Sequence, residues 1–239
     1  MLPIFNESAN LPDLFRRIEA SFGASAAYRI IAVDDGSSDG SAEILAGFGA
    51  KLPLTTISHG VNQGLGMAIR TGLTEALRTS PPDGIVVTMD ADESHTPSLI
   101  GAMERRIAEG ADVVIASRFE PGAEVHGVPF GRRILSWGAS MFFRVLFPTP
   151  GVKDFTCGYR AYRAQALQKA ADKYGEKLFE FEGFQCMVDL LLKLRASGAR
   201  FAEVPVILRY DLKRGASKMR VTRTVARTLE LAARRLIGR

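Results

Sequence analysis

Residues 1–117 alternate apolar runs of strand length with amphipathic runs of helix length, separated by short turns, and this alternation restricts the fold more than any other feature. Leu11, Leu14, Phe15 and Ile18 recur at helical spacing. "YRIIAVDD", residues 28–35, is a continuous apolar run closed by acids, as a strand buried in a parallel sheet requires. "SAEILAGF" predicts a helix, "LTTIS" a strand, "GMAIRTGLTEAL" a helix and "GIVVTMD" a strand. In "SLIGAMERRIAEG", Leu99, Ile100, Met103 and Ile107 share one face, with Thr96 as N-cap, Pro97 in the first turn and Gly110 as the stop. "ADVVIASRF" is the next strand. The succession predicts an α/β fold with a doubly wound, mostly parallel sheet and helices on both faces. Further along, "PGAEVHGVPFGRR" reads as a loop, "ILSWGASMFFRVLF" as a strongly apolar helix and "PTPGVKDFTCGYRAYR" as a loop entering a short strand. "FEGFQCMVDLLLKLRASG" predicts a helix, and "RFAEVPVILRY" a strand whose Pro205 implies an edge or a bulge.

With 239 residues, 46% of them hydrophobic, the chain can bury the core of one large domain. No apolar run reaches the roughly 18 residues that span a bilayer, and the opening "MLPIFNESANLPDLF" lacks the basic start and cleavage site of a signal peptide. The expectation is a cytoplasmic protein, soluble or peripheral to a membrane. Cys157 and Cys186 lack zinc spacing and are expected as buried thiols. The formal net charge of +5 is concentrated at the end of the chain, where Lys213 to Arg239 carry many cations and Glu230 alone as acid.

In a sheet of this kind ligands bind beyond the carboxyl ends of the strands. Asp34-Asp35, Asp90-Ala91-Asp92 and Ser117-Arg118 all stand where a predicted strand ends, so three polar clusters share one rim. Acids one residue apart offer hard oxygen ligands to Mg²⁺ or Mn²⁺, which keep water and substrate phosphate in their other positions. A solvated surface cluster is the plain alternative; the strand-end placement and the "HTP" that follows favour the metal. His95 reads as a structural neighbour of the acids. "VDDGSSDG", residues 33–40, suits a ribose or base as well as an ordinary turn. "NQGLGMAIRTG" is not a dinucleotide fingerprint, because Ile69 stands where the third Gly belongs.

Taken in order, "PIFNE", "VDDGSSDGS", "NQGLGMAIRTG", "MDADESHTP", "ASRF", "CGYR", "EVP" and "RGASK" resemble family 2 glycosyltransferases of the dolichyl-phosphate mannose synthase type. The resemblance covers nearly the whole chain. It implies the GT-A fold, a nucleotide-diphosphate sugar donor and a divalent cofactor, Mg²⁺ or Mn²⁺. It makes Pro3, Phe5 and Glu7 contacts to the nucleotide base, Asp35 a contact to base or ribose, and Asp90 and Asp92 the metal and diphosphate site. Ser94, a poorer third metal ligand, stands where such synthases commonly carry a Gln. Arg118, Arg132, Ser136 and a basic residue of "RGASK", Arg214 or Lys218, match positions that grip the acceptor phosphate. The chain begins almost at "PIFNE", so most of the family's first strand would lie upstream, and it ends without the transmembrane helices many relatives carry. Residues 1–212 are expected to form the GT-A domain, and 213–239 a basic helical segment packed on it or extending from it.

The resemblance implies an inverting transfer of a hexose, with mannose from GDP-mannose the expected donor, onto a polyprenyl phosphate. Asp92 and Arg118 would serve the reaction directly. One alternative is a transferase with another donor, such as UDP-glucose, and a hydroxyl acceptor, for which Asp154 would be the base. Another is a non-catalytic sugar-nucleotide-binding partner subunit. The helix with Trp137, Met141, Phe142, Phe143 and Leu146 suits either a core or a lipid interface. With Lys218, Arg220, Arg223, Arg227, Arg234 and Arg235 it would bind the cytoplasmic face of a membrane peripherally. An integral membrane partner is the other route to a lipid acceptor, and no nucleic-acid partner is expected.

Overall fold

A computed structural model of the chain describes residues 1–239 except 24–26, 182, 184, 215–220 and 238–239, and for 221–226 and 237 it describes the backbone alone. Lys218 and Arg220 lie outside the described residues, as does the side chain of Arg223. The strands are β1 (Leu2–Ile4), β2 (Ile30–Asp34), β3 (Leu54–Ser58), β4 (Ile85–Thr88), β5 (Val113–Ser117), β6 (Glu124–His126), β7 (Arg160–Arg163), β8 (Phe201–Pro205) and β9 (Ile207–Arg209). The helices are α1 (Leu11–Phe22), α2 (Ser41–Gly49), α3 (Leu65–Thr79), α4 (Ile100–Ala108), α5 (Phe130–Leu146), α6 (Ala164–Tyr174), α7 (Gln185–Ala196) and α8 (Val221–Ile237).

β1, β2 and β3 pair in parallel. A second group runs in the order β4-β7-β5-β8. Met1 joins the two groups, its nitrogen donating to the Val87 carbonyl at 2.7 Å and its carbonyl accepting the Met89 amide at 3.2 Å. The combined order is therefore β3-β2-β1-β4-β7-β5-β8. β7 is antiparallel to both its neighbours, and β5 and β8 are parallel. Every residue of β2 and of β5 is buried. Because successive side chains point to opposite faces, both faces of the sheet are covered, as the apolar runs predict.

The predicted helical face of α1 is the observed one: Leu11, Leu14, Phe15 and Ile18 are buried. α4 buries Ile100, Met103 and Ile107 and stops before Gly110, whose φ of +110° suits a residue without a Cβ. Thr96 caps a 3₁₀ turn, Pro97–Leu99, through its backbone and makes no side-chain cap. Three features depart from the sequence reading. The stretch read as a loop after residue 120 contains β6, which pairs in parallel with β9. The strand predicted across Pro205 is split, because Val206 turns its amide to the Ser117 carbonyl at 3.1 Å and its carbonyl to the Glu124 amide at 2.9 Å. α6, which buries Leu167 between polar turns, is an element the sequence reading omits.

α8 packs against α7. Leu231 and Ala232 are buried, and Arg235 Nε donates to Asp189 at 2.9 Å. Asp189 also meets Lys193 at 2.6 Å. α5 behaves differently: its buried residues are Ser140 and Phe143, while Phe130, Ile134, Trp137, Met141 and Val145 are exposed along one stripe. Among the described residues no helix is long and apolar enough to cross a membrane.

Candidate active site

The acidic motif leaves β4 and doubles back through Glu93, whose φ of +63° lies in the left-handed region. That turn leaves Asp90 about half exposed, its side chain at 42%, and buries Asp92, Ser94 and His95. Asp92 Oδ1 accepts the Ser94 amide at 3.1 Å and the Ser94 hydroxyl at 2.5 Å. The other oxygen, Oδ2, is held by the Lys213 ammonium. Burial works against the charge on Asp92, but Lys213 outweighs it and holds the carboxyl below its ordinary range. His95 Nδ1 accepts the Asp90 amide at 3.2 Å, and its ring packs on Tyr159 with centroids 4.9 Å apart. His95 thus shapes the turn.

The end of β2 is built around Asp35, a buried carboxylate. It takes His59 Nδ1 at 2.7 Å and the Gln63 amide at 2.9 Å on Oδ1, and the Gly64 amide at 2.8 Å on Oδ2. The far nitrogen of His59 meets Thr71 Oγ1 at 2.9 Å. In this arrangement Asp35 fixes the loop that precedes α3. Gly36, at φ +73°, makes room for that loop, since a Cβ there would stand 2.5 Å from the Val61 carbonyl carbon. The segment after β1 is tied to the same turn: Asn6 N–H donates to Ser37 Oγ at 2.9 Å, and Ser38 N–H to Asn6 Oδ1 at 2.8 Å. Glu7 is buried and accepts Asn10 Nδ2 at 2.6 Å. Pro3 and Phe5 are half-buried on either side of Ile4.

Past β5, Arg118 and Asp154 form a two-pronged pair, Nε to Oδ2 at 2.8 Å and Nη2 to Oδ1 at 2.7 Å. Arg118 Nη2 also reaches Thr156 Oγ1 at 2.6 Å. Asp154 is fully buried and accepts the backbone amides of Arg118, Thr156 and Cys157 at 3.1–3.2 Å. Burial opposes its charge, but Arg118 and these amides outweigh it and hold the carboxyl low. Behind it, Glu203 accepts the Lys153 and Asp154 amides at 2.6 and 2.7 Å, and burial pushes its own carboxyl up. Arg132 Nη1 donates to the Tyr210 hydroxyl at 2.7 Å, and the Lys213 ammonium stands 5.5 Å from the centre of the Tyr210 ring. Ser136 Oγ is buried with no hydrogen-bond partner among the described residues.

The structure therefore links Asp92, Lys213, Tyr210 and Arg132 in one chain of contacts. Arg214 sits elsewhere: its guanidinium donates to the Ala9 carbonyl and to Asp13, both at 3.0 Å. Sequence reasoning missed Lys213, Tyr210, His59 and Glu203. The one available signal was the position of Lys213 immediately before "RGASK", a stretch already read as anion-binding.

A sheet ordered in this way, with an acidic pair at the end of β4, is the architecture of GT-A glycosyltransferases. Solved structures agree on the fold. Glucosyl-3-phosphoglycerate synthase from Mycobacterium tuberculosis, in complex with Mn²⁺, UDP and glucosyl-3-phosphoglycerate, matches with a TM-score of 0.68 at 21% identity, over 97% of this chain and 77% of that one. S. aureus TarS 1-349 in complex with UDP matches with a TM-score of 0.57 at 18% identity, over 86% of this chain and 58% of that one. The family model of glycosyl transferase family 2 matches residues 1–170, and this chain belongs to that family. It is similar to the polyprenol monophosphomannose synthase of Mycolicibacterium smegmatis, 32% identical over 92% of this chain and 79% of the relative. The undecaprenyl-phosphate mannosyltransferase of Micrococcus luteus is 31% identical over 92% and 86% respectively. The dolichol-phosphate mannosyltransferase of Pyrococcus furiosus is 32% identical over 86% of this chain and 54% of its own length.

Proposed function

We propose that this glycosyltransferase moves mannose from GDP-mannose to a polyprenyl phosphate with inversion at the anomeric carbon. The observation that carries the reading is the contact chain Asp92–Lys213–Tyr210–Arg132, which brings one acid of the pair and one of the expected phosphate-gripping arginines together. The names of the relatives supply the substrate class. A divalent ion, Mg²⁺ or Mn²⁺, fits the acidic pair: Asp92 already draws a cation, Lys213, and Asp90 opens to solvent. Asp90 and Asp92 would hold the ion, with Ser94 fixing the Asp92 carboxylate, and the bound ion would neutralise the departing diphosphate.

Arg118, locked by Asp154 and Thr156, and Arg132, locked by Tyr210, would hold the acceptor phosphate for in-line attack. A phosphate oxygen is anionic near neutral pH, so no side chain has to remove a proton. The rival reading needs a base for a hydroxyl acceptor. Asp154 suits it poorly, being fully buried, held low in pKa and saturated with donors.

A lipid acceptor requires the protein to meet a membrane, and the exposed stripe Phe130, Ile134, Trp137, Met141 and Val145 on α5 supports peripheral contact at the cytoplasmic face. Exposed Arg133 and Arg144 on the same helix would meet anionic headgroups. The test is turnover of labelled GDP-mannose and UDP-glucose against polyprenyl phosphate and the matching polyprenol. Transfer from GDP-mannose to the phosphate alone is expected. Transfer to polyprenol alone, or donor binding without turnover on either, overturns the reading.

A further inference from the structure

Lys213 performs no step of the transfer described above, yet its ammonium holds Asp92 Oδ2. Its side chain is 13% exposed and that of Asp92 12%. The backbone that carries it is fastened at both ends. Arg209 N–H donates to the Ser94 carbonyl at 2.9 Å, and Arg214 N–H to Asn10 Oδ1 at 3.2 Å. Ser94 engages Asp92 Oδ1 twice, so Oδ2 is the oxygen best placed for an incoming ion, and Oδ2 is the atom that Lys213 holds.

We propose that Lys213 is a tethered counter-cation, which neutralises Asp92 until a divalent ion takes the site and expels the ammonium from it. Two positive charges cannot share one carboxylate oxygen at contact distance without strong repulsion. A fixed backbone with a flexible four-carbon stem lets the ammonium leave while the segment 209–214 stays in place. The ion's measured affinity therefore carries the cost of breaking the Lys213–Asp92 pair.

This inference rests on reading Asp90 and Asp92 as the metal site, and the arms of the test separate the two. Mn²⁺ alone is titrated by EPR of the free ion into the full chain and into Lys213→Met, Lys213→Arg and Asp92→Asn. Lys213→Met is expected to bind Mn²⁺ about tenfold more tightly than wild type, within the range typical of coupled sites. Lys213→Arg, which keeps a cation, is expected to return toward the wild-type value. Asp92→Asn is expected to lose Mn²⁺ binding; if it binds as wild type does, the metal reading itself fails and takes the proposal with it. If Asp92→Asn loses binding but Lys213→Met matches wild type, the metal reading stands and the counter-cation is overturned. The wild-type chain gives an independent readout that does not depend on any variant folding. Amine-reactive labelling of Lys213, followed by mass spectrometry, is expected to be slow without Mn²⁺ and to rise with Mn²⁺. Labelling that Mn²⁺ leaves unchanged overturns the proposal.

Discussion

Asp154→Asn removes one charge from a fully buried site and leaves its shape nearly intact. In the native arrangement the carboxylate meets Arg118 through two hydrogen bonds and also takes three backbone amides. The Arg118 side chain is 20% exposed, so little water is at hand to replace the lost partner. Breaking one side of such a pair costs about 3 kcal/mol, the lower end of the range for buried ion pairs. For a chain of this size that is a fall of roughly 6–12 °C in melting temperature. Arg118→Met should cost a similar amount, and the double variant much less than the sum, because neither charge is then stranded. The assay is urea unfolding of wild type, both single variants and the double variant. The pH dependence has a definite sign, because burial raises the Asp154 pKa but Arg118 and the amides outweigh it and leave it lowered. The stability gap between wild type and Asp154→Asn should be full above the unfolded carboxyl value of about 3.9 and shrink as pH falls through the lowered native value. Additive costs, or a gap that widens on acidification, would refute the reasoning. In transfer assays the same variant should lose turnover while it keeps donor affinity, since it frees Arg118 rather than the donor site.

Ile134→Glu combined with Trp137→Glu places two charges on exposed positions of α5, so melting should stay near wild type while binding to anionic vesicles falls by at least about tenfold; vesicle binding equal to wild type would remove α5 from the interface. Point substitutions are the right probe here, because deleting residues 219–239 would strip Leu231 and Ala232 from the core. Gly36→Ala should destabilise by about 2 kcal/mol in urea unfolding, through its φ of +73° and the 2.5 Å approach to Val61, and an unchanged midpoint would show that the loop can give way. Asp35→Asn should weaken donor binding in calorimetry by loosening the His59–Gly64 loop, while Mn²⁺ affinity is unchanged; donor binding equal to wild type would set that role aside.

The parallel part of the sheet was legible because both-face burial leaves unbroken apolar runs, and "IIAVD" and "VVIAS" have no other use for four successive apolar residues before the polar one that closes the strand. The Asp-x-Asp turn was legible because the end of a strand is a place that chain order alone reveals. What pairs with what was not. Arg118 and Asp154 are both visible in the sequence, but they lie 36 residues apart and meet only because β7 runs against its neighbours. The same holds for Lys213, 121 residues from Asp92, where the sequence shows a cation without showing which carboxylate it holds. α5 was read as either core or interface because apolar residues cover most of its faces, and only the surroundings reveal that one stripe is left exposed among the described residues.

β4 and β5 follow one another in the chain but never pair; β7 alone joins them. A nascent chain leaving the ribosome must therefore carry the facing edges of Ile85–Thr88 and Val113–Ser117 open until Arg160–Arg163 emerges between them, and the other edge of Val113–Ser117 open until Phe201–Pro205 follows. Arg160, fully buried and donating to the carbonyls of Phe155, Cys157 and Met187, locks that late arrival in register. The same closure brings Asp154 to Arg118, whereas Arg132 waits for Tyr210. A truncated translation product that stops before residue 154 would be exposed to edge-to-edge association, and it would lack Asp154, the partner that orients Arg118.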